Sequence, residues 1–168
     1  MPIMQQQNYT MLCDFYELTM ANGYFVSGKG DEIAYFDVFF RQIPDGGGYA
    51  IVAGLDQIIE YIKNLRFTAD DIAYLRSKGQ FDEAFLQSLL TFRFTGDIWA
   101  IPEGTPVFPG EPLLTVRAPA AQAQFIETYL LLAINHQSLI ATKASRICRA
   151  AEGRPVAEFG SRRAQGAD

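Results

Sequence analysis

The sequence predicts an α/β protein, with an α+β N-terminal part that contains a small β-rich layer and leads into the first strand of an α/β sheet or barrel. Three observations carry this expectation. Helix-period and strand-like apolar runs are mixed from the start; the texture changes at Phe94 to short apolar runs cut by Pro and Gly; and a long apolar helix pattern is followed by the strand-like run "RPVAEFG". With 168 residues, 49% of them hydrophobic, the chain can fill one core, or one domain and the opening of a second.

Phe15, Leu18, Thr19, Asn22 and Phe25 recur at helical spacing, so a helix is expected over about 15–26, capped by Thr10 or Asp14. "EIAYFDVFFR" is aromatic and β-branched and reads as a strand ending at "IPDGGG"; "YAIVAG" reads as a second strand, which makes Gly46 to Gly48 a hairpin turn. "LDQIIEYIKNLR" is an amphipathic helix, and "TADDIAYLRSKG", opened by a Thr cap, and "FDEAFLQSLLTF" are two shorter ones. From 94 to 122 the Pro and Gly spacing marks turns between short antiparallel strands. The segment 123–153 is apolar nearly all round in its first half, so burial is expected, with a break near Asn135, a poor helix former. "RPVAEFG" then has the length and flanks of a strand. A strand begun at Pro155 has no parallel neighbour in this sequence to pair its backbone, so the chain is expected to be part of a longer protein.

A formal charge of −5 with both signs interspersed offers no basic stripe for a phosphate backbone, which argues against nucleic acid as a partner. The two cysteines, Cys13 and Cys148, form neither a disulfide framework nor a metal-ligand spacing, and read as buried free thiols of a reducing compartment. No basic segment precedes an apolar core at the N-terminus and no apolar run reaches roughly 18 residues. A cytoplasmic protein with neither signal peptide nor membrane span is expected.

Candidate chemistry gathers at two places. In "EFGSRRAQG", Phe159 offers a flat face, Gly160 permits close backbone approach, and Arg162 or Arg163 presents a planar fork suited to a carboxylate or phosphate. Taken alone, that pattern is also a surface loop with solvated arginines. In "CDFYELTMANGYF", Asp14 and Tyr16 lie at a helix start, which by itself is equally a cap and a half-buried tyrosine. The glycine run lacks the Lys-Ser/Thr of a phosphate loop. His136, the single histidine, sits in a helix-like segment without a paired nucleophile and reads as structural. Lys143 and Arg146 share a helix face, as a solvated pair or an anion contact.

In order, D-x-Y-x-L-T-M (Asp14, Tyr16, Leu18, Thr19, Met20), "FFRQIPDGGGYAIVAGL", "PEGTPVFPGEPLLTV", "QSLIATKASR" and "EFGSRRAQGAD" resemble the nicotinate phosphoribosyltransferases of NAD salvage over essentially the whole chain. The resemblance implies a homodimer with an N-terminal α/β domain, here residues 1–134, beside an irregular α/β barrel that begins in residues 135–168 and is largely missing. It implies that nicotinate and phosphoribosyl pyrophosphate form nicotinate mononucleotide and pyrophosphate, with coupled ATP hydrolysis and Mg2+ on the phosphates. Tyr16 of one subunit would stack the pyridine ring against Phe159 of the other, near Gly160, with Asp14 close by and Arg162 and Arg163 holding anionic groups. The histidine phosphorylated in the family, and hence any catalytic residue, would lie beyond Asp168. Two other readings stand beside it. A quinolinate phosphoribosyltransferase would call for more basic residues, and a non-catalytic binding or dimerisation module would suit the chain as it stands.

Overall fold

A computed structural model describes residues 8–164. The helices differ in how the free backbone donors of their first turns are met. Helix α1 (Phe15–Val26) has the expected bounds but not the expected cap: Asp14 occupies the cap position and its side chain makes no capping bond. Thr10 instead accepts the Arg66 N–H at 2.9 Å, tying the N-terminal segment to the end of α2 (Leu55–Asn64). Helix α3 (Ala69–Ser77) opens as expected on Thr68. Thr68 Oγ1 accepts the Asp71 N–H at 3.2 Å and Asp71 accepts the Thr68 N–H at 2.7 Å, satisfying two donors reciprocally. Helix α4 (Glu83–Leu89) is capped by Asp82, which accepts from Ala84 and Phe85 N–H.

The strands are β1 (Ile33–Val38), β2 (Ala50–Ile51), β3 (Asp97–Ala100), β4 (Pro106–Val107) and β5 (Leu114–Pro119). They form two antiparallel sheets, one of order β1-β5-β3 and a two-stranded one of β2 and β4. The small antiparallel layer expected from residue 94 onward is present, but β1 joins it across some 80 residues. Gly46 to Gly48 are therefore not a hairpin turn, because the strands on either side of them enter different sheets; Pro44–Gly46 form a 3-10 turn instead. Central strand β5 alternates with period two: Leu114, Val116 and Ala118 are buried, while Thr115 and Arg117 face outward to Asp37, Tyr35 and Asp97.

Helix α5 (Ala120–Phe125) meets α6 (Glu127–Ala150) at Ile126. The break expected at Asn135 does not occur. Leu130, Ala133, Ile134, Ser138 and Thr142 form one buried stripe across it, and that packing outweighs a propensity penalty of about 0.7 kcal/mol. Nor is the first half buried all round, since Leu131 and Leu132 are exposed. The strand expected at 154–160 is absent; those residues have no regular structure and lead to a 3-10 turn at Ser161–Arg163. Among the described residues no neighbouring strand takes up their hydrogen bonds. Among the described residues, no helix is long and apolar enough to cross a membrane. Cys13 is half-buried but Cys148 is exposed, contrary to the expectation of two buried thiols.

Helix α6 is fastened to the β2 segment by side chains. The Ile51 N–H donates to Thr142 Oγ1 at 2.8 Å, and Ser138 Oγ both accepts from Ala53 N–H and donates to its carbonyl, each at 3.1 Å. The Val52 N–H donates to the Thr105 carbonyl at 3.0 Å. The Gly54 and Leu55 N–H groups, at the open end of α2, both donate to Glu103 at 2.6 and 2.7 Å. Gly54 has φ +107°, and a Cβ there would lie 2.9 Å from the Ala133 carbonyl oxygen. Gly54→Ala is therefore expected to lower stability in urea unfolding by about 2 kcal/mol or more. Gly28→Ala, at a positive φ with open space around it, should lose only about 1 kcal/mol; equal losses would show that the approach of α6 is not what requires Gly54.

Candidate functional site

The two groups of residues singled out in the sequence lie at opposite ends of the chain's order, and the structure gives them different surroundings. Asp14 is exposed at the head of α1, and its N–H donates to Thr128 Oγ1 at 3.1 Å. Tyr16, one turn in, is 43% exposed. Local desolvation, then the Glu127 carboxylate facing its hydroxyl, push its pKa up to about 12. It keeps its proton throughout the neutral range and offers a ring with a polar tip.

Next to Tyr16 in α1 stands a residue the sequence reading passed over. Glu17 is fully buried, and its Oε1 accepts the Thr128 N–H at 2.9 Å and the Thr128 hydroxyl at 2.7 Å. Thr128 stands in the first turn of α6, where backbone N–H groups have no intrahelical partner, so Glu17 serves them from another helix. The second oxygen, Oε2, is buried without a partner, as is the Tyr61 hydroxyl. Burial pushes the Glu17 pKa up to about 7 against the lowering effect of the Thr128 bonds, and the charges of Glu127 and Asp14 add to the rise. Cys13 is likewise pushed up to about 12 by burial, then by Glu17 and Asp14, which makes it an unreactive thiol. Beside this junction, Phe36, Asp37, Gln124, Glu127, Leu130 and Leu131 line a cavity of about 180 Å³.

At the other end, Phe159 is 84% exposed. The Gly160 N–H donates to the Glu158 carboxylate at 2.6 Å, in the space a Cβ would occupy, so the close approach expected at Gly160 is made by the chain itself. Arg162 and Arg163 are exposed and make no ion pair among the described residues. The last four residues of "FGSRRAQGAD" lie outside the described residues. Among the described residues, neither Tyr16 nor Phe159 stacks on another ring.

Lys143 and Arg146 diverge. Lys143 lies 3.9 Å from Asp45, while the Arg146 guanidinium lies 6.0 Å over the Tyr49 ring and fills the space beside Gly47. Arg146 thus packs the glycine-rich loop against α6. His136 is half-buried on α6. Glu103, Ser138, Thr142, Glu17 and Thr128 were missed by sequence reasoning. Each works through a partner 48 or more positions away, and a local pattern carries no sign of that.

Residues 11–135 match the nicotinate phosphoribosyltransferase (NAPRTase) N-terminal domain family. The chain is 46% identical over 158 residues to nicotinate phosphoribosyltransferase pncB2 of Mycobacterium tuberculosis, covering 94% of this chain and 34% of the relative. It is 43% identical to nicotinate phosphoribosyltransferase of Bacillus subtilis, covering 92% and 32%. The crystal structure of human nicotinic acid phosphoribosyltransferase superposes with a TM-score of 0.86 at 38% identity, covering 94% of this chain and 32% of that one. Nicotinate-nucleotide pyrophosphorylase from Pyrococcus furiosus shares the fold, with a TM-score of 0.70 at 22% identity. The chain spans about a third of the length of the curated relatives it matches.

Glu17 sets a pH dependence. With its pKa raised, the folded chain holds a proton that the unfolded chain releases between about 4.5 and about 7. The resulting stabilisation is complete below about 4.5 and is lost as pH rises through about 7. Wild-type stability relative to Glu17→Gln should therefore fall by on the order of 1–3 kcal/mol between pH 5 and pH 8. Urea unfolding at both pH values checks this, and a constant or rising difference would mean that Glu17 is ionised when folded.

Proposed function

The chain belongs to the nicotinate phosphoribosyltransferase family, and on that premise we propose that it supplies the ring-binding portion of an enzyme of NAD salvage. The enzyme joins nicotinate to phosphoribosyl pyrophosphate, releasing nicotinate mononucleotide and pyrophosphate with coupled ATP hydrolysis, in the cytoplasm. The supporting observation is the pair of exposed aromatic rings, Tyr16 and Phe159, neither stacked on a ring of its own chain. Two unpaired rings on one chain suit a homodimer in which Tyr16 of one subunit and Phe159 of the other enclose the pyridine. Residues 1–134 then form the N-terminal domain, and 135–168 lead into an irregular α/β barrel whose phosphorylated histidine lies beyond this sequence.

Displacement of pyrophosphate builds positive character at the ribose anomeric carbon and negative charge on the leaving group, by analogy with glycoside cleavage. The protein's task is then positioning and fixed charge. Tyr16 and Phe159 hold the ring plane, Asp14 borders the site from the head of α1, and Gly160 shapes the loop. Arg162 and Arg163, free of ion pairs among the described residues, are available for the carboxylate or a phosphate. Among the described residues no group of three or more His, Cys, Asp and Glu side chains could hold a metal ion. Magnesium is proposed to arrive as the complex of phosphoribosyl pyrophosphate or ATP.

Nicotinate titrated calorimetrically into the chain should bind, and Tyr16→Ala or Phe159→Ala should each weaken binding about tenfold or more, the loss expected for one base-like ring stack of about 1–3 kcal/mol. Mixing the two variants should restore about a quarter of the high-affinity sites, because each mixed dimer regains one intact clamp. No restoration would place both rings in one subunit's site or in none. Quinolinate competing as strongly as nicotinate would shift the substrate to the dicarboxylate.

A further inference from the structure

Tyr16 projects from the surface without a ring to rest on, so its direction has to be set through the backbone of α1. Two consecutive residues of α1 reach two consecutive residues of the first turn of α6: Tyr16 faces Glu127, and Glu17 bonds Thr128 through both its N–H and its hydroxyl. The Thr128 hydroxyl oxygen also accepts the Asp14 N–H, so a single chain of hydrogen bonds runs from Asp14 through Thr128 to Glu17 and brackets Tyr16 on both sides. We propose that Glu17 is a positioning residue for Tyr16, docking the first turn of α1 onto the first turn of α6 and so fixing the direction in which the Tyr16 ring leaves the surface. The proposal rests on the reading of Tyr16 as half of the ring clamp.

A buried carboxyl is costly unless its oxygens are bonded, and one of these has no partner. An apolar residue at position 17 would avoid that cost but would leave the Thr128 N–H and hydroxyl unserved. The groups facing Glu17 are Cys13 and Asp14 ahead of α1, Tyr16 beside it, Tyr61 from α2 and Glu127 from α6, with Tyr129 stacked on Tyr61 at 4.0 Å. None is cationic. A charge on Glu17 strengthens the bonds it accepts from Thr128 but is buried among acidic or neutral neighbours only, so ionisation changes the balance of forces at the junction, a change that Tyr16 must feel.

The test is solution NMR of the whole chain, following the Tyr16 ring carbons, assigned with Tyr16→Phe, from pH 5 to pH 8.5. In wild type the Tyr16 signal should move in a single step near pH 7 together with the Glu17 carboxyl carbon, and Glu17→Gln should abolish the step. Glu17→Ala should speed amide hydrogen exchange at Thr128 and Asp14 at least tenfold. Where Glu17→Ala does not fold, Thr128→Val takes its place, removing the hydroxyl link while keeping the shape, and should also displace the Tyr16 signal. A Tyr16 step that survives in Glu17→Gln, or unchanged exchange with an unchanged Tyr16 signal in Glu17→Ala or Thr128→Val, would overturn the positioning role. Nicotinate titration of the same samples separates the two readings. If Tyr16 tracks Glu17 but Tyr16→Ala leaves nicotinate affinity unchanged, the clamp fails and the junction stands. If Tyr16→Ala loses nicotinate while Tyr16 ignores Glu17, the positioning role fails and the clamp stands.

Discussion

Five consecutive backbone N–H groups, from Ile51 to Leu55, have to be satisfied where a two-residue strand turns into a helix under the weight of a 24-residue one. Only Val52 finds a backbone carbonyl; the other four are met by Thr142, Ser138 and Glu103. The remaining architecture depends on this junction. It fixes the depth at which α6 lies, and Gly54 allows that depth because any Cβ would strike the Ala133 carbonyl. Three of the stretches that carry the family resemblance, "YAIVAGL", "PEGT" and "QSLIAT", meet here. In this chain Glu103, Ser138 and Thr142 from these stretches satisfy backbone groups.

With its middle fixed, α6 becomes a ruler for the candidate site. Its first turn receives α1 through Thr128 and Glu127, and its last turns carry Arg146 against the glycine-rich loop. The two junctions differ in kind. The β2 junction is built from two hydroxyls and one carboxylate, all bonded to backbone groups. The α1 junction hangs on Glu17, a carboxyl held close to its point of titration by burial. Thus one junction fixes α6 on the β2 segment through backbone groups, and the other ties α1 to α6 through a buried carboxyl.

Much of the fold was legible where the signal is local. The bounds of α1, the Thr68 cap and the short antiparallel strands after residue 94 show in runs of a few adjacent residues. The failures share a cause. Whether "YAIVAG" pairs with "EIAYFDVFFR" or with Pro106 and Val107 depends on register between distant segments, and whether α6 breaks at Asn135 depends on what packs against it. The run at 154–160 has strand composition but no neighbouring strand among the described residues, and composition alone does not pair a backbone. At the candidate site, Tyr16, Phe159 and the arginines stand out as residue types suited to rings and anions, and Asp14 by its place at a helix start. Glu17 does not, because a glutamate in a helix reads as solvated until its partner 111 positions away is known.

The charge around the two halves of the proposed clamp argues for a division of labour between them. Tyr16 is set among the acidic groups Asp14, Glu17 and Glu127, and Phe159 lies beside Arg162 and Arg163. A carboxylate-bearing ring brought to Tyr16 with its charge toward α1 would meet repulsion, whereas turned toward the arginines it meets a bidentate partner. In the proposed clamp the acidic groups around Tyr16 would therefore orient the ligand: that face would supply an aromatic plane and reject the anion, and the basic loop would take it. In a clamp built this way the orientation of the bound ring comes from the contrast between the halves, and a change of charge on either side should alter orientation before it abolishes stacking.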